Sequence, residues 1–454
     1  MFKNYQNIHF VGIGGIGMSG IAEVLLNLGY KITGSDQKRS SVTTRLKKKG
    51  ARIYYRHKAG NVDSAHVVVI SSAINSHNPE VVAAKKKNIP VIPRAEMLAE
   101  LMRIKYGVAI AGSHGKTTTT SLVGQVLLGG GLDPTMVIGG RLNSLRTNAK
   151  LGRGDYLVAE ADESDGSFLK LNPALALITN IDPEHMEHYK DFEALKETFV
   201  QFANKVPFYG SIVACSDHPV VRELIPRFKR KVVTYGLEKG ADFSVSHIQS
   251  QGLKQRFKVS YKKDPLGQVT LHMPGRHNVA NALGAIAVGR ELEIPFRKIS
   301  QSLRQFRGIQ RRLQVLYDKE VTILDDYGHH PVEIEATLKA LRAAYPKRRL
   351  VTLFQPHRFT RTRDLFDEFA HAFEDSDHVF MTAIYPAGEE PIVGVNARAL
   401  ANALPRNGVT YHHDKATLAQ RVKDFAQGGD ILLTLGAGDI TRVGHELARA
   451  WKRR

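Results

Sequence analysis

Cysteine is almost missing. Cys215 is the only one among 454 residues. No disulfide can form within the chain, which excludes a cross-linked secreted scaffold and favours a reducing, cytoplasmic compartment. Long apolar runs are missing too, so no segment reads as a membrane span and no membrane partner is expected. The apolar stretch after Lys3 carries glycines at turn spacing and no A-x-A site follows it. It reads as strand and turn rather than as a signal peptide. Low-complexity tracts, short repeats and Pro/Ser-rich linkers are absent. Acidic residues are in short supply, 44 against 64 Lys and Arg, which leaves a net charge of +20. Such a surplus attracts anions. The basic stretches "RLKKKG", "AKKKN" and "PRFKRK" are dispersed and lack interleaved aromatics. No RNA-recognition or zinc-finger spacing accompanies them, so small anionic ligands are expected rather than nucleic acid.

What is present is alternation. "NIHFVGI", "YKITGSD", "AHVVVISSAI" and "IPVIPR" read as strands separated by helical stretches. The helix after the first turn places Ile21, Val24, Leu25 and Leu28 on one face, with Gly29 as its stop. A second unit opens at "YGVAIAGSHGKTTTT", with "DYLVAE" and "ALALITNI" as its next strands and a β-rich stretch near 241–274. A third holds "VTILDDYGHHP", "RLVTLFQPHRF" and "DILLTLGAGDI". The expectation is an α/β protein of three units, 1–104, 105–314 and 315–454, built on parallel, doubly wound sheets. Ligands bind at the carboxyl ends of such strands.

Two glycine-rich turns stand at such ends. Gly12, Gly14 and Gly17 have G-x-G-x-x-G spacing and Asp36 ends the next strand. By itself this reads as a dinucleotide turn, with the acid on a ribose, as in a nicotinamide-dependent oxidoreductase. The second turn, "GSHGKTTTT", argues against that reading, because a dehydrogenase needs no γ-phosphate chemistry. Its backbone N–H groups would cradle phosphates, Lys116 would reach the β/γ-phosphates and Thr117 would ligate Mg²⁺. The match to G-x-x-x-x-G-K-[ST] is incomplete, since Ile110 stands at the first glycine and Gly112 and Gly115 carry the turn.

Glu160 ends the strand "DYLVAE", where a metal ligand beside a phosphate loop belongs. Asp162, Glu163 and Asp165 read mostly as a solvated acidic loop. His185 follows the next core strand. In the third unit, Arg358, Arg361 and Arg363 can clamp carboxylates or phosphates, at least one of them lying on an exposed helix face. The His329–His330 pair lacks the Cys or carboxylate that would complete a zinc set.

The stretches "GIGGIGMSGIAEVL", "AGSHGKTTTT", "VAEADESDGSFL", "ITNIDPEHM", "PGRHN", "DDYGHHP" and "FQPHRFTRTRDL" occur in this order. Together they resemble the Mur ligase family over essentially the whole chain. The resemblance implies a three-domain architecture: a Rossmann-like N-terminal domain, a central P-loop-type ATPase domain and a Rossmann-like C-terminal domain. It implies an ATP-dependent ligase that joins L-alanine to the lactyl carboxylate of UDP-N-acetylmuramate through an acyl phosphate. The wording of "GIGGIGMSG" and "DDYGHHP" fits the L-alanine-adding branch better than the murein peptide ligase of cell-wall recycling.

By the same resemblance, Gly12, Gly14, Gly15, Gly17, Ser71 and Ser72 hold the UDP-sugar. Gly112, Ser113, His114, Gly115, Lys116, Thr117, Thr118, Asn278 and Asn281 hold ATP. Thr117, Glu160 and His185 lie around Mg²⁺. Arg312 and Asp326 join Lys116, Glu160 and His185 as catalytic residues, and Tyr327, His329, His357, Arg358 and Arg361 receive the amino acid. Ser113 departs from the threonine usual in the loop, and Leu313 from the aromatic that often follows the two arginines; neither removes a phosphate donor.

Overall fold

Buried β-branched runs alternating with helices produce three sheets among the described residues of a computed structural model. The described residues are 5–71, 73–138, 149–186, 188–405 and 407–452. The first sheet holds β1 (Asn7–Val11), β2 (Lys31–Ser35), β3 (Arg52–Tyr54), β4 (Val67–Ile70) and β5 (Val91–Pro93). They are parallel, in the order β3-β2-β1-β4-β5. The order reverses at β1, so the ends of β1 and β4, with Val11 in register with Ile70, border a crevice. The helix Ile16–Asn27 buries Ile21, Val24 and Leu25. Leu28, expected on the same face, caps the helix and is 40% exposed, and Gly29 ends it at φ +90°.

A buried polar network lies under this crevice. Glu80 is fully buried. Its carboxylate accepts hydrogen bonds from Ser35 Oγ at 2.6 Å and Asn61 Nδ2 at 2.5 Å, with His57 Nδ1 at 2.9 Å and His9 Nε2 at 3.5 Å. Burial pushes its pKa up, but His9 close by and the bonds from Ser35, Asn61 and His57 outweigh that and hold it down at about 2. A buried carboxylate so enclosed stays ionised, as buried charges must be paired and hydrogen-bonded.

The second sheet comprises β6 (Tyr106–Ala111), β7 (Thr135–Val137), β8 (Ala149–Lys150), β9 (Tyr156–Glu160), β10 (Leu175–Ile178), β11 (Ser211–Cys215), β12 (Lys231–Gly236), β13 (Phe243–Gln251), β14 (Lys254–Tyr261) and β15 (Asp264–Leu271). Its order, β15-β14-β13-β12-β11-β10-β6-β9-β7-β8, places β6 between β10 and β9. The loop after β6 is therefore flanked by the carboxyl ends of both. The third sheet runs β16-β17-β21-β18-β19-β20, from β16 (Gln314–Asp318), β17 (Thr322–Asp326), β18 (Leu350–Phe354), β19 (His378–Met381), β20 (Val409–Tyr411) and β21 (Ile431–Leu435). Only β16 is antiparallel to its neighbour here. Alternate side chains of its central strands enter two cores, Ile323, Val351 and Leu432 on one face and Leu324, Phe354 and Leu433 on the other.

By contacts the chain divides into two compact units. The first comprises Met1–His247, Phe257–Val269 and Ala280–Phe306; the second comprises Ile248–Arg256, Thr270–Val279 and Arg307–Arg454. No helix among the described residues is long and apolar enough to cross a membrane.

Candidate active site

The first glycine turn follows β1. Gly12 sits at φ +79°, which favours glycine, and its N–H and that of Ile13 donate to Ser35 O at 2.9 and 3.0 Å. Gly15 N–H closes the turn on Gly12 O at 3.1 Å and caps the helix Ile16–Asn27. The Ser71 hydroxyl lies 3.7 Å from where a Cβ on Gly12 would stand, so Ser71 borders the turn; Ser72 lies outside the described residues. Asp36 has a specific place that sequence alone left open. Its Oδ2 accepts the Gly14 N–H at 2.8 Å, and a Cβ on Gly14 would fall 2.6 Å from that oxygen. Arg94 was not singled out by the sequence either. Its guanidinium would touch a Cβ on Gly17 at 3.1 Å and donates to Asp162 Oδ2 at 3.2 Å.

The second turn is enclosed rather than open. Gly112 and Gly115 stand at φ +135° and +79°, and a Cβ on Gly112 would lie 2.1 Å from Thr179 Oγ1. The residues after β10 hold the loop in shape. Asn180 Oδ1 accepts the His114 N–H at 2.7 Å, and Thr179 Oγ1 donates to His114 O at 2.8 Å. Ser113 Oγ accepts the Asp182 N–H at 2.9 Å. Lys116 opens the helix Lys116–Gly130, followed by half-buried Thr117 and buried Thr118. Its ammonium donates to Ser113 O at 3.1 Å, to Gly112 O, and to Glu163 Oε1 at 2.7 Å. Burial disfavours that charge, but the Glu163 and Asp162 carboxylates outweigh it and raise the Lys116 pKa, so the lysine stays charged. Asn281 meets the loop, its Oδ1 lying 2.9 Å from a Cβ on Gly115. Asn278 belongs to the second unit, where its amide donates to Pro274 O at 2.7 Å.

Glu160 ends β9 half-buried, its strand in register with β6 at Ile110. Glu163 is the residue that sequence reading passed over. It is 1% exposed, its backbone carbonyl accepts the Tyr189 hydroxyl, and its Oε2 has no hydrogen-bond partner among the described residues. His185 holds a left-handed φ of +60°, costly for a non-glycine residue and characteristic of functional loops. One ligand atom each of Glu163, Glu184 and His185 lies within 4.8 Å of the others. Carboxylate oxygens and an imidazole suit a hard divalent cation, and the orphaned Glu163 oxygen is the kind of group a cation satisfies. Glu160 is not part of this cluster. The signal that separates Glu163 from Asp162 and Asp165 is burial, which motif spacing does not carry.

In the second unit, Asp326 ends β17 buried and accepts the N–H groups of Leu313 at 2.7 Å and Gly328 at 2.8 Å. Burial pushes its pKa up against the opposing pull of Arg312. The loop it braces carries Arg311 and Leu313 at positive φ, and both Arg311 and Arg312 lie over the Tyr327 ring, at 4.8 and 5.4 Å. His329 Nδ1–H donates to Tyr327 O at 3.1 Å, since a carbonyl can only accept. His357 Nδ1 accepts from Arg361 Nη1 at 3.3 Å, and its ring stacks on Tyr385. Burial lowers the His329 pKa to about 4 and the His357 pKa to about 3, where His329 and the nearby arginines add to it. Both imidazoles are neutral at pH 7. Tyr327, His329, His357 and Arg361 thus come together. Arg358, at φ +72°, turns toward Glu389, 4.0 Å away, and Arg363 is exposed beside Asp364. Glu333 and Tyr385 join this cluster without having been expected there; Glu333 Oε2 accepts the His329 N–H at 3.0 Å.

Residues 7–106 match the Mur ligase family catalytic domain, 110–289 the Mur ligase middle domain, and 311–438 the Mur ligase glutamate ligase domain. The chain is 54% identical over 451 residues to a UDP-N-acetylmuramate–L-alanine ligase of Geobacter sp. (strain M21), covering 98% of each. Its fold matches the solved UDP-N-acetylmuramate-alanine ligase MurC of Thermotoga maritima with a TM-score of 0.85 and 26% identity, over 98% of this chain and 99% of that one. A murein peptide ligase from Psychrobacter arcticus shares the fold at a TM-score of 0.72 and 22% identity, over 98% of both chains. With its three-domain α/β fold and full-length similarity to these enzymes, the chain belongs to the Mur ligase family.

Proposed function

We propose that this protein is an ATP-dependent ligase that joins L-alanine to the lactyl carboxylate of UDP-N-acetylmuramate. This is the first amino-acid addition of peptidoglycan precursor synthesis. The observation that carries the reading is the 54% identity, across 98% of both chains, with a relative bearing that name. The higher structural similarity to the L-alanine ligase than to the murein peptide ligase favours the same branch. A nicotinamide site loses its main support, because Asp36 is engaged with the Gly14 N–H rather than presented to a ribose. The cytoplasm remains the expected location, in keeping with a single, buried cysteine.

A carboxylate is a poor acyl donor, because its leaving group would be oxide. Phosphorylation by ATP makes the leaving group phosphate. Two anions must then meet, and the residues assigned to that task are cationic or metal-binding. Lys116, held charged at the loop, neutralises the β/γ-phosphates. Backbone N–H groups from Gly112 to Thr118, together with Asn281, position ATP; Asn278 is assigned to the same ligand. Thr117, Glu160 and His185 would hold Mg²⁺, which supplies further charge neutralisation at the transferring phosphoryl group. The turn from Gly12 to Gly17, with Ser71 beside it, takes the diphosphate of the UDP-sugar.

Arg361 and Arg358 bind the alanine carboxylate. Tyr327, His329 and His357 shape that pocket, and Arg312 and Asp326 fix the loop above it. The alanine amine attacks the acyl phosphate, a tetrahedral intermediate forms and phosphate leaves. Phosphate release should require UDP-N-acetylmuramate, L-alanine and Mg²⁺ together. Equal release with alanine or the UDP-sugar omitted would overturn the assignment.

A further inference from the structure

Among the acids of the amino-acid cluster, Glu389 is the one that faces Arg358. It lies half-buried on the segment after β19. Ala387 and Gly388 stand at φ +51° and +91°, and the Glu389 N–H donates to Pro386 O at 3.0 Å, which turns that segment back toward the loop after β18. There Glu389 Oε2 accepts the Thr360 N–H at 3.1 Å, and Oε1 accepts the Thr360 hydroxyl at 2.7 Å. Arg358 Nε stands 4.0 Å from the same Oε1. Burial pushes the carboxyl pKa up, but the Thr360 donors, the Phe359 N–H and the Arg358 charge outweigh it and hold it below the usual value, so Glu389 stays ionised.

The backbone that Glu389 braces is strained. Arg358 sits at φ +72°, a conformation that a residue with a side chain keeps only where its surroundings impose it. Three attachments do so. The Arg358 N–H donates to Tyr385 O at 2.9 Å. Its carbonyl accepts the Thr362 N–H at 3.2 Å and the Thr362 hydroxyl at 2.8 Å. Glu389 takes both donors of Thr360. Only the last attachment also carries a charge that acts on the guanidinium. The arrangement differs from a structural clamp such as Arg349, which Asp430 holds through two bonds of 2.9 and 2.6 Å. The Arg358 side chain is 47% exposed and lies near Glu389 without a short bond to it. It can turn to another carboxylate at little cost.

We propose that Glu389 is a positioning residue for the amino-acid substrate: it fixes the turn that carries Arg358 and keeps the guanidinium oriented until the substrate carboxylate takes it over. The inference deepens the ligase reading and rests on it for the identity of that substrate. A long, exposed side chain loses rotamer freedom when it binds a ligand, and a counter-ion that has already ordered it lowers that cost. The arriving carboxylate then makes a close, charge-assisted contact in place of the looser one to Glu389. Without Glu389 the substrate itself has to order the arginine, and binding weakens while the chemistry of the bound amino acid is untouched.

The test is steady-state phosphate release by the full-length chain, with each substrate varied in turn. Glu389→Ala should raise the KM for L-alanine about tenfold and leave kcat at saturating alanine within about twofold. The KM values for ATP and UDP-N-acetylmuramate should not change. Thr360→Val removes one of the two donors to Glu389 and should raise the KM for L-alanine about threefold. Added to Glu389→Ala it should have no further effect, since both act through one contact. Melting curves identify any variant that has lost its fold, and each single variant tests the role without the other. An unchanged KM for L-alanine in either folded variant would overturn the proposal, as would effects that multiply in the double variant. A common rise in all three KM values would also overturn it, since Glu389 would then support packing rather than the arginine. If release depends on alanine but the variants behave as the unaltered chain does, the positioning role fails and the ligase reading stands. If release by the unaltered chain does not depend on alanine, both fall together.

Discussion

The two glycine turns follow the same plan, a parallel strand, a tight turn and a helix N-terminus, yet they handle charge in opposite ways. The turn from Gly12 to Gly17 is braced from behind. Ser35 O takes two of its N–H groups, Asp36 takes a third, and the charge of Glu80 is sealed beneath with its own partners. The turn from Gly112 to Lys116 carries its own charge within the loop, with Lys116 on Glu163 and on two carbonyls of its own loop. A ligand there must exchange those contacts for its own. The first turn suits a handle, which binds a part of the substrate that does not react. The second suits chemistry, where charge has to be moved.

Lys116→Met should test this contrast most severely. Loss of the lysine cation at the γ-phosphate should lower phosphate release on the order of 10³-fold. It should also leave Glu163 buried and unpaired, at a cost of about 3–5 kcal/mol in urea unfolding in metal-free buffer. Adding Glu163→Gln should recover most of the stability and none of the activity. If the double variant were no more stable than the single one, the pair would not be the tense element it is taken to be.

Glu80 is the corresponding charge under the first turn, and it should act on stability. Its pKa lies at about 2 rather than 4.5, so the folded state favours the ionised carboxylate. The stabilisation is present above about pH 4.5 and is lost as the pH falls toward 2. Its size is roughly 3 kcal/mol from a shift of that order. Glu80→Gln should therefore be less stable at pH 7 and show a flatter acid limb in denaturant titrations between pH 5 and 2. An unchanged acid limb would show that the first turn does not rest on this charge.

The alternation of strands and helices was legible in the sequence because period and turn residues are local. The positions of Lys116, Glu160 and His185 relative to their strands were legible for the same reason, with Glu160 closing β9 and the other two lying beyond β6 and β10. Glu163 and Asp36 were not. An acid between two other acids in "EADESD" reads as solvent-facing until burial is known, and burial depends on where Lys116 and Tyr189 come to lie. Asp36 has the spacing of a ribose ligand, yet its side chain turns inward to Gly14, a choice of rotamer that spacing cannot encode. Leu28 shows the converse. Its periodicity was right, but the helix had already ended.

Gly14→Ala should separate the two turns by ligand. The new Cβ would fall 2.6 Å from Asp36 Oδ2, which must swing away and abandon the Gly14 N–H. A strain of about 1–3 kcal/mol should raise the KM for UDP-N-acetylmuramate about tenfold and leave the KM for ATP unchanged. An equal rise in both would mean that the turns respond as one device.

Ser113 should give the smallest effect and the finest discrimination. Its hydroxyl accepts the Asp182 N–H at 2.9 Å and donates to Asp182 O at 3.3 Å, tying the ATP loop to the segment after β10. Ser113→Ala removes both bonds, about 1 kcal/mol, and should raise the KM for ATP about fivefold. Ser113→Thr keeps the hydroxyl and should change it by less than about twofold. Neither should alter the KM for the UDP-sugar. If alanine and threonine behaved alike, the loop would owe its shape to Asn180 and to its glycines rather than to this bond, and the second turn would be as rigid as the first.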